Sequence, residues 1–198
     1  MSNGDVSQGR RRFLIGATSV VGGVGVVGAA VPFVASWNPS AKAEAAGAPV
    51  TVNVSKLEPG QQMTVKWRGK PVWVIRRTEE MNENILELND QVKDPLSKEA
   101  DQPAYIEGEL RAIKDEYAVL VGICTHLGCS PQFRPEVAPA DLGEDWLGGF
   151  YCACHGSRYD LAGRVYPNMP APRNLDVPPY RFDDENTVTV GLDPEGAA

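Results

Sequence analysis

The sequence predicts a mainly β protein: a small antiparallel β domain with a metal site at one tip, anchored by one N-terminal transmembrane helix. Three observations carry this. From Val50 onward, short runs of β-branched and aromatic residues are punctuated by Gly, Pro, Asn and Asp. Ahead of them, Phe13 to Ala41 contains no charged residue. All four cysteines and both histidines fall within two six-residue stretches, 124–129 and 152–157.

The chain carries a net charge of −7, which argues against nucleic acid as a partner. Residues 1–12 run the other way: Arg10, Arg11 and Arg12 against Asp5 give a local +2, leaving −9 on the remainder. Residues 13–35 are apolar and long enough to span a bilayer as a helix. Gly16, Gly22, Gly23, Gly25 and Gly28 suit close helix packing, and Pro32 is placed to kink the far end. A basic head predicts a cytoplasmic N-terminus with everything beyond Trp37 outside, on the periplasmic side of a bacterial inner membrane. Arg-Arg-x-Phe-Leu, residues 10–14, resembles a twin-arginine export signal, a route for folded proteins. Ala41-Lys42-Ala43 is an A-x-A-like site and supports the competing reading of a cleaved signal. Residues 36–49 are small, with Pro and Gly, and read as a flexible linker without a fixed packed element. The remainder, 50–198, is the head.

Within the head, Val50–Val54 alternates with period two. Met63–Trp67 and Pro71–Ile75 flank Arg68-Gly69-Lys70 as a hairpin. Glu79 to Gln91 is polar with scattered Ile85 and Leu88, and reads as a solvated helix or loop. Asp94–Asp101 reads as a loop, and Tyr117–Val121 as a buried strand entering the first Cys/His stretch. An acidic, Pro-containing insert, 134–147, separates the two stretches, and Phe150-Tyr151 leads back as a strand into the second. Phe182 and Thr187–Val190 are closing strands, and 193–198 a loose tail. There are no internal repeats, no phosphate loop and no Ser-His-Asp set.

Thiolates and imidazoles are ligands of borderline-soft metals. Each stretch offers one Cys and one His, Cys124-x-His126 and Cys152-x-x-His155, with Cys129 and Cys154 left over after a four-ligand site is filled. A structural zinc site usually pairs Cys with Cys and His with His, and neither pairing occurs. Two plain disulfides leave the placement of both histidines unexplained.

Cys-Thr-His-Leu-Gly-Cys followed by Cys-x-Cys-His-Gly-Ser resembles the cluster-binding pair of Rieske iron–sulfur proteins, specifically those of cytochrome bc complexes. The resemblance extends through Ser157, Tyr159, Asp160, Gly163 and Pro170-Ala171-Pro172, and to the N-terminal anchor. Ala153 departs from it, standing where the family usually has proline, without loss of a ligand. It implies one [2Fe–2S] cluster, with Cys124 and Cys152 on one iron and His126 and His155 on the other. It implies a disulfide between Cys129 and Cys154, which an oxidising compartment preserves. It also favours an uncleaved anchor and makes the linker a hinge about which the head swings.

Two neutral imidazoles in place of two thiolates leave the cluster less negative, which raises its potential. The range is about −150 to +300 mV, against about −400 mV for plant-type ferredoxins. Hydroxyl groups bonded to the sulfurs push the same way, and the resemblance assigns Ser157 and Tyr159 that role. A high-potential centre on the outer face of the membrane can accept an electron from a membrane quinol and pass it to a higher-potential haem; the resemblance implies transfer of one electron from ubiquinol at cytochrome b to a c-type cytochrome, within a dimeric complex. A redox-linked imidazole can also accept the quinol proton, and the resemblance makes His155, then His126, the candidates for contact with the quinol hydroxyl. The alternatives are a Rieske subunit of another exported oxidoreductase of the arsenite-oxidase kind, and a zinc-stabilised membrane-anchored binding module. A ring dioxygenase requires further histidines that the chain lacks.

Overall fold

The computed structural model describes residues 7–196. Residues 1–6 of the basic N-terminus and 197–198 of the tail lie outside the described residues. Contacts divide the chain into two units, Met1–Ala45 and Ala46–Ala198.

The first unit is dominated by α1, Gln8–Ala35, which begins five residues ahead of the expected apolar span and ends where expected. At 1.5 Å per residue its 28 residues run about 42 Å, more than the bilayer hydrocarbon thickness of about 30 Å. None of its residues is buried, and Phe13, Val21 and Phe33 are each more than 70% exposed. So much uncovered apolar surface is costly in water and fits a membrane anchor. The linker differs from expectation, because Ala41–Gly47 forms a short helix, α2. Its Ala-Lys-Ala-Glu-Ala-Ala run consists of strong helix formers. Ser40 caps it, accepting the Ala43 N–H at 3.2 Å.

The head contains nine short strands and one helix among the described residues. They are β1 (Val50–Asn53), β2 (Gln62–Trp67), β3 (Lys70–Arg76), α3 (Glu79–Glu87), β4 (Tyr117–Val121), β5 (Gln132–Arg134), β6 (Gly149–Cys152), β7 (Ser157–Tyr159), β8 (Tyr180–Phe182) and β9 (Thr187–Val190). They form three antiparallel sheets in the orders β1-β9-β8, β2-β3-β4 and β5-β6-β7. The β2–β3 turn is Arg68-Gly69 alone, since Lys70 already pairs with Trp67. Both turn residues have positive φ, 49° and 76°, which keeps the tight turn in step with the strand twist.

Strand β4 is buried along its whole length, as expected for a strand covered on both faces. Its sheet is coupled to the β5-β6-β7 sheet by Trp73, stacked on Phe150 with centroids 4.8 Å apart; within the latter sheet Phe133 packs against Phe150 at 5.5 Å. The indole leaves no room at the start of the β4–β5 loop: a Cβ on Gly122 would lie 2.3 Å from Trp73 Cε2. Helix α3 is not simply solvated. Thr78 caps it through the Met81 N–H at 3.2 Å, and Ile85 and Leu88 are each 1% exposed. The insert folds on itself, with Trp146 buried and donating its indole N–H to Arg134 O at 3.1 Å.

Candidate metal centre

The two Cys/His stretches are the β4–β5 loop and the β6–β7 hairpin loop. Each is built on the same turn. Gly128 N–H donates to Cys124 O at 3.1 Å, and Gly156 N–H donates to Cys152 O at 2.9 Å. Both glycines have positive φ, 83° and 78°, the backbone region that closes such a five-residue turn and disfavours a side chain. The second turn closes with Ala153 in place. The first loop is also pinned by Cys124 N–H to Cys129 O at 2.7 Å.

This backbone places Cys124 and Cys152 inside and the two histidines nearer the surface. Cys124 and Cys152 are free thiols, 3% and 2% exposed. His126 is half-buried, while His155 and Leu127 are exposed. The imidazole centroids lie 4.7 Å apart with planes at 84°, so two rings from different loops converge on one region. His126 Nδ1 is buried without a hydrogen-bond partner among the described residues, at a typical cost of about 1–3 kcal/mol. A nitrogen of that kind is one a metal ion would satisfy, and two thiols with two imidazoles are a donor set suited to a [2Fe–2S] cluster. Burial pushes the Cys152 thiol up, and the Cys154 and His155 N–H groups oppose it, as they would favour a thiolate.

Cys129 and Cys154 are joined in a disulfide that ties the loops together, with Cα atoms 6.8 Å apart. The Sγ atoms of Cys129, Cys152 and Cys154 gather within 4.8 Å, but only Cys152 of the three keeps an unbonded sulfur. The bridge spans a sequence separation of 25, for which chain entropy predicts about 3.5 kcal/mol of stabilisation. Cys129→Ser with Cys154→Ser should therefore lower the urea midpoint of the head by that equivalent; an unchanged midpoint would show that the loops are held without the bridge.

Ser157 and Tyr159 are both fully buried and occupy β7, a strand too short to show a period in sequence. Tyr159 Oη lies 3.2 Å from Cys124 Sγ. It also accepts the Thr125 N–H at 3.2 Å, which leaves its proton to be donated. Burial, then Cys124, push the phenol upward, so it stays protonated. Ser157 Oγ accepts the Ala171 N–H at 3.1 Å, which likewise leaves its proton to donate. The Pro-rich segment thus touches both loops, since Arg173 O accepts from Thr125 Oγ1 at 2.7 Å. Gly149 makes this possible at the base of β6, because a Cβ there would meet Tyr159 O at 2.0 Å.

Sequence reasoning passed over the groups that support this segment. Asp160 and Arg164 form an ion pair at 2.7 Å with both side chains wholly buried. Arg111, also wholly buried, donates to Gln102, Ala162 O and Leu175 O at 3.0, 2.8 and 2.6 Å. Burial lowers its pKa to about 10. Asn174 joins Val165 N–H to Asp94 O and Ser97. Only the family resemblance, through Asp160, Gly163 and Pro170-Ala171-Pro172, pointed at this region.

The Rieske [2Fe–2S] domain family matches residues 48–180. Residues 1–40 match the family described as the ubiquitinol–cytochrome c reductase Fe–S subunit TAT signal. The ubiquinol–cytochrome c reductase iron–sulfur subunit of Allochromatium vinosum is 55% identical over 98% of this chain and 93% of that protein. Its counterpart in Rhodobacter capsulatus is 42% identical over 96% of this chain and 100% of that protein. Among solved structures, a chain of a hyperthermophilic respiratory Complex III is 29% identical, covering 89% of this chain and 98% of that one, with a TM-score of 0.48. With a Rieske [2Fe–2S] domain over most of its head and relatives matched nearly end to end, the chain belongs to the family of ubiquinol–cytochrome c reductase iron–sulfur subunits.

Proposed function

We propose that this chain is the electron-transfer subunit of a quinol–cytochrome c reductase, working beside cytochrome b and a c-type cytochrome in a dimeric complex. The observation that supports it most is the pairing of two buried thiols with two outward imidazoles, one with an orphaned nitrogen, at a single tip. Cys124, Cys152, His126 and His155 would hold the cluster, the thiolates supplying one iron and the imidazoles the other. When bound, the cluster supplies a one-electron couple of raised potential.

The chain's own residues do the rest. The exposed His155 ring offers its outward nitrogen to the quinol hydroxyl and takes its proton, with His126 second. Ser157 and Tyr159 turn hydroxyl protons toward the sulfurs and favour the reduced charge. The helix Gln8–Ala35 remains as anchor, the head lies on the periplasmic side, and residues 36–49 form the hinge. The relatives' names set this reading ahead of an arsenite-oxidase-like subunit or a zinc-stabilised module.

An EPR-monitored redox titration of the purified full-length protein tests it. A reduced signal of mixed His/Cys character with a positive midpoint is expected, whereas a silent, zinc-containing sample would refute it. Ser157→Ala and Tyr159→Phe should each lower the midpoint by roughly 40–70 mV. That corresponds to about 1–1.5 kcal/mol in a one-electron couple, the usual net worth of one hydrogen bond. Unchanged potentials in both variants would remove the hydroxyls from the account.

A further inference from the structure

We propose that Thr125 is a positioning residue that sets how strongly Tyr159 bonds the Cys124 sulfur. This deepens the reading above and rests on Cys124 as ligand and Tyr159 as donor. Three contacts converge on Tyr159 Oη at 3.2 Å: Cys124 Sγ, the Thr125 N–H and Thr125 Oγ1. A hydroxyl has one proton, and that of Thr125 goes to Arg173 O at 2.7 Å. Toward Tyr159, therefore, Thr125 Oγ1 can only accept. The amide N–H occupies a lone pair of the phenol oxygen and turns the phenol proton away from itself. That proton is shared between the Cys124 sulfur and the Thr125 oxygen.

The competing oxygen is held in place from both sides. Its backbone belongs to the turn closed by Gly128 N–H to Cys124 O at 3.1 Å. The acceptor segment is braced by the Arg173–Asp176 ion pair and by Val121 N–H to Asp176 O at 2.8 Å. Adding an electron makes the sulfur a stronger acceptor, while the Thr125 oxygen is unchanged. In the oxidised state the proton relaxes toward Thr125, which stabilises that state and reduces the gain on reduction. Thr125 thus moderates the potential that Tyr159 raises.

The test is the midpoint potential of Thr125→Val in the full-length, cluster-containing protein, with thermal unfolding measured on each variant. Valine keeps the shape and the backbone N–H but removes the oxygen. Reduction should become roughly threefold more favourable, about 30 mV upward at 59 mV per tenfold for one electron. Thr125→Ser should retain the parent midpoint, and in a Tyr159→Phe background Thr125→Val should shift nothing further. A purely structural threonine would lower the midpoint or lose the cluster on substitution.

An unchanged or lowered midpoint with full cluster content overturns the proposal, and so does an equal rise in the Tyr159→Phe background. Should valine prevent cluster assembly, Thr125→Ala removes the same oxygen with less bulk and is read by the same criteria. If Tyr159→Phe alone leaves the midpoint unchanged, the donor assignment of Tyr159 fails. If Tyr159→Phe lowers it and Thr125→Val does not raise it, only the role of Thr125 fails.

Discussion

Replacing His155 or His126 with cysteine should leave a centre of much lower potential or none, and quinol oxidation should cease. Each exchange puts a thiolate where a neutral imidazole stood, adding a negative charge to a centre that must accept an electron. The all-thiolate reference lies near −400 mV, against about −150 to +300 mV for His/Cys ligation, so a loss of hundreds of millivolts is the scale. At 59 mV per tenfold for one electron, 200 mV changes the equilibrium by more than about a thousandfold. The two positions differ in their secondary effects. His126 is half-buried with an orphaned Nδ1, so its loss should mainly cost assembly of the cluster. His155 is exposed, so its loss should also remove the contact through which the quinol proton leaves. EPR and a quinol–cytochrome c assay of the assembled complex read the two effects separately. Normal turnover in both variants would refute the ligand and quinol roles together.

Arg164→Met should cost about 3–5 kcal/mol, the usual penalty for removing one partner of a buried ion pair. Arg164 is wholly buried, and its loss strands Asp160, itself wholly buried, without its guanidinium. The same side chain donates to Ile85 O within α3 and to Asn89 Oδ1 just beyond it, so the variant also unties the end of α3 and the segment after it from the base of the second loop. For a chain of this size, the melting temperature should fall by about 6–20 °C. The double variant Asp160→Asn with Arg164→Met removes the stranded charge and should recover part of the loss. Asp160 Oδ1 still accepts the N–H groups of Ala162 and Arg164, at 3.0 and 2.7 Å. The local turn should therefore survive while global stability drops. A melting temperature within 2 °C of the parent would show that the pair contributes little.

Much of the molecule was legible in the chain. Chemistry concentrated in two loops pointed to the cluster-binding domain and, by resemblance, to the Cys129–Cys154 disulfide. A charge-free stretch behind three arginines named the anchor. Alternation in Val50–Asn53, and the apolar run Tyr117–Val121, marked strands where they occur. These are signals that one side chain, or a local period, carries by itself.

What failed to show were features whose stability comes from elsewhere. Strands β5 and β7 are three residues long and exist because β6 lies between them. Ile85 and Leu88 looked scattered because the surface that buries them lies outside their own segment.

The sequence by itself determined the grouping of the cysteines and histidines in two loops, the apolar N-terminal helix and the all-antiparallel character of the head, because composition and short-range spacing suffice for these. Beyond Ser157 and Tyr159, which the resemblance had named, tertiary structure alone decided which groups gather around the site. Thr125 meets Tyr159 from 34 residues away and Arg173 from 48, and Arg164 reaches Ile85 across 79. Hydrogen bonds across such separations depend on the packing of sheets, and no local pattern in the chain encodes them.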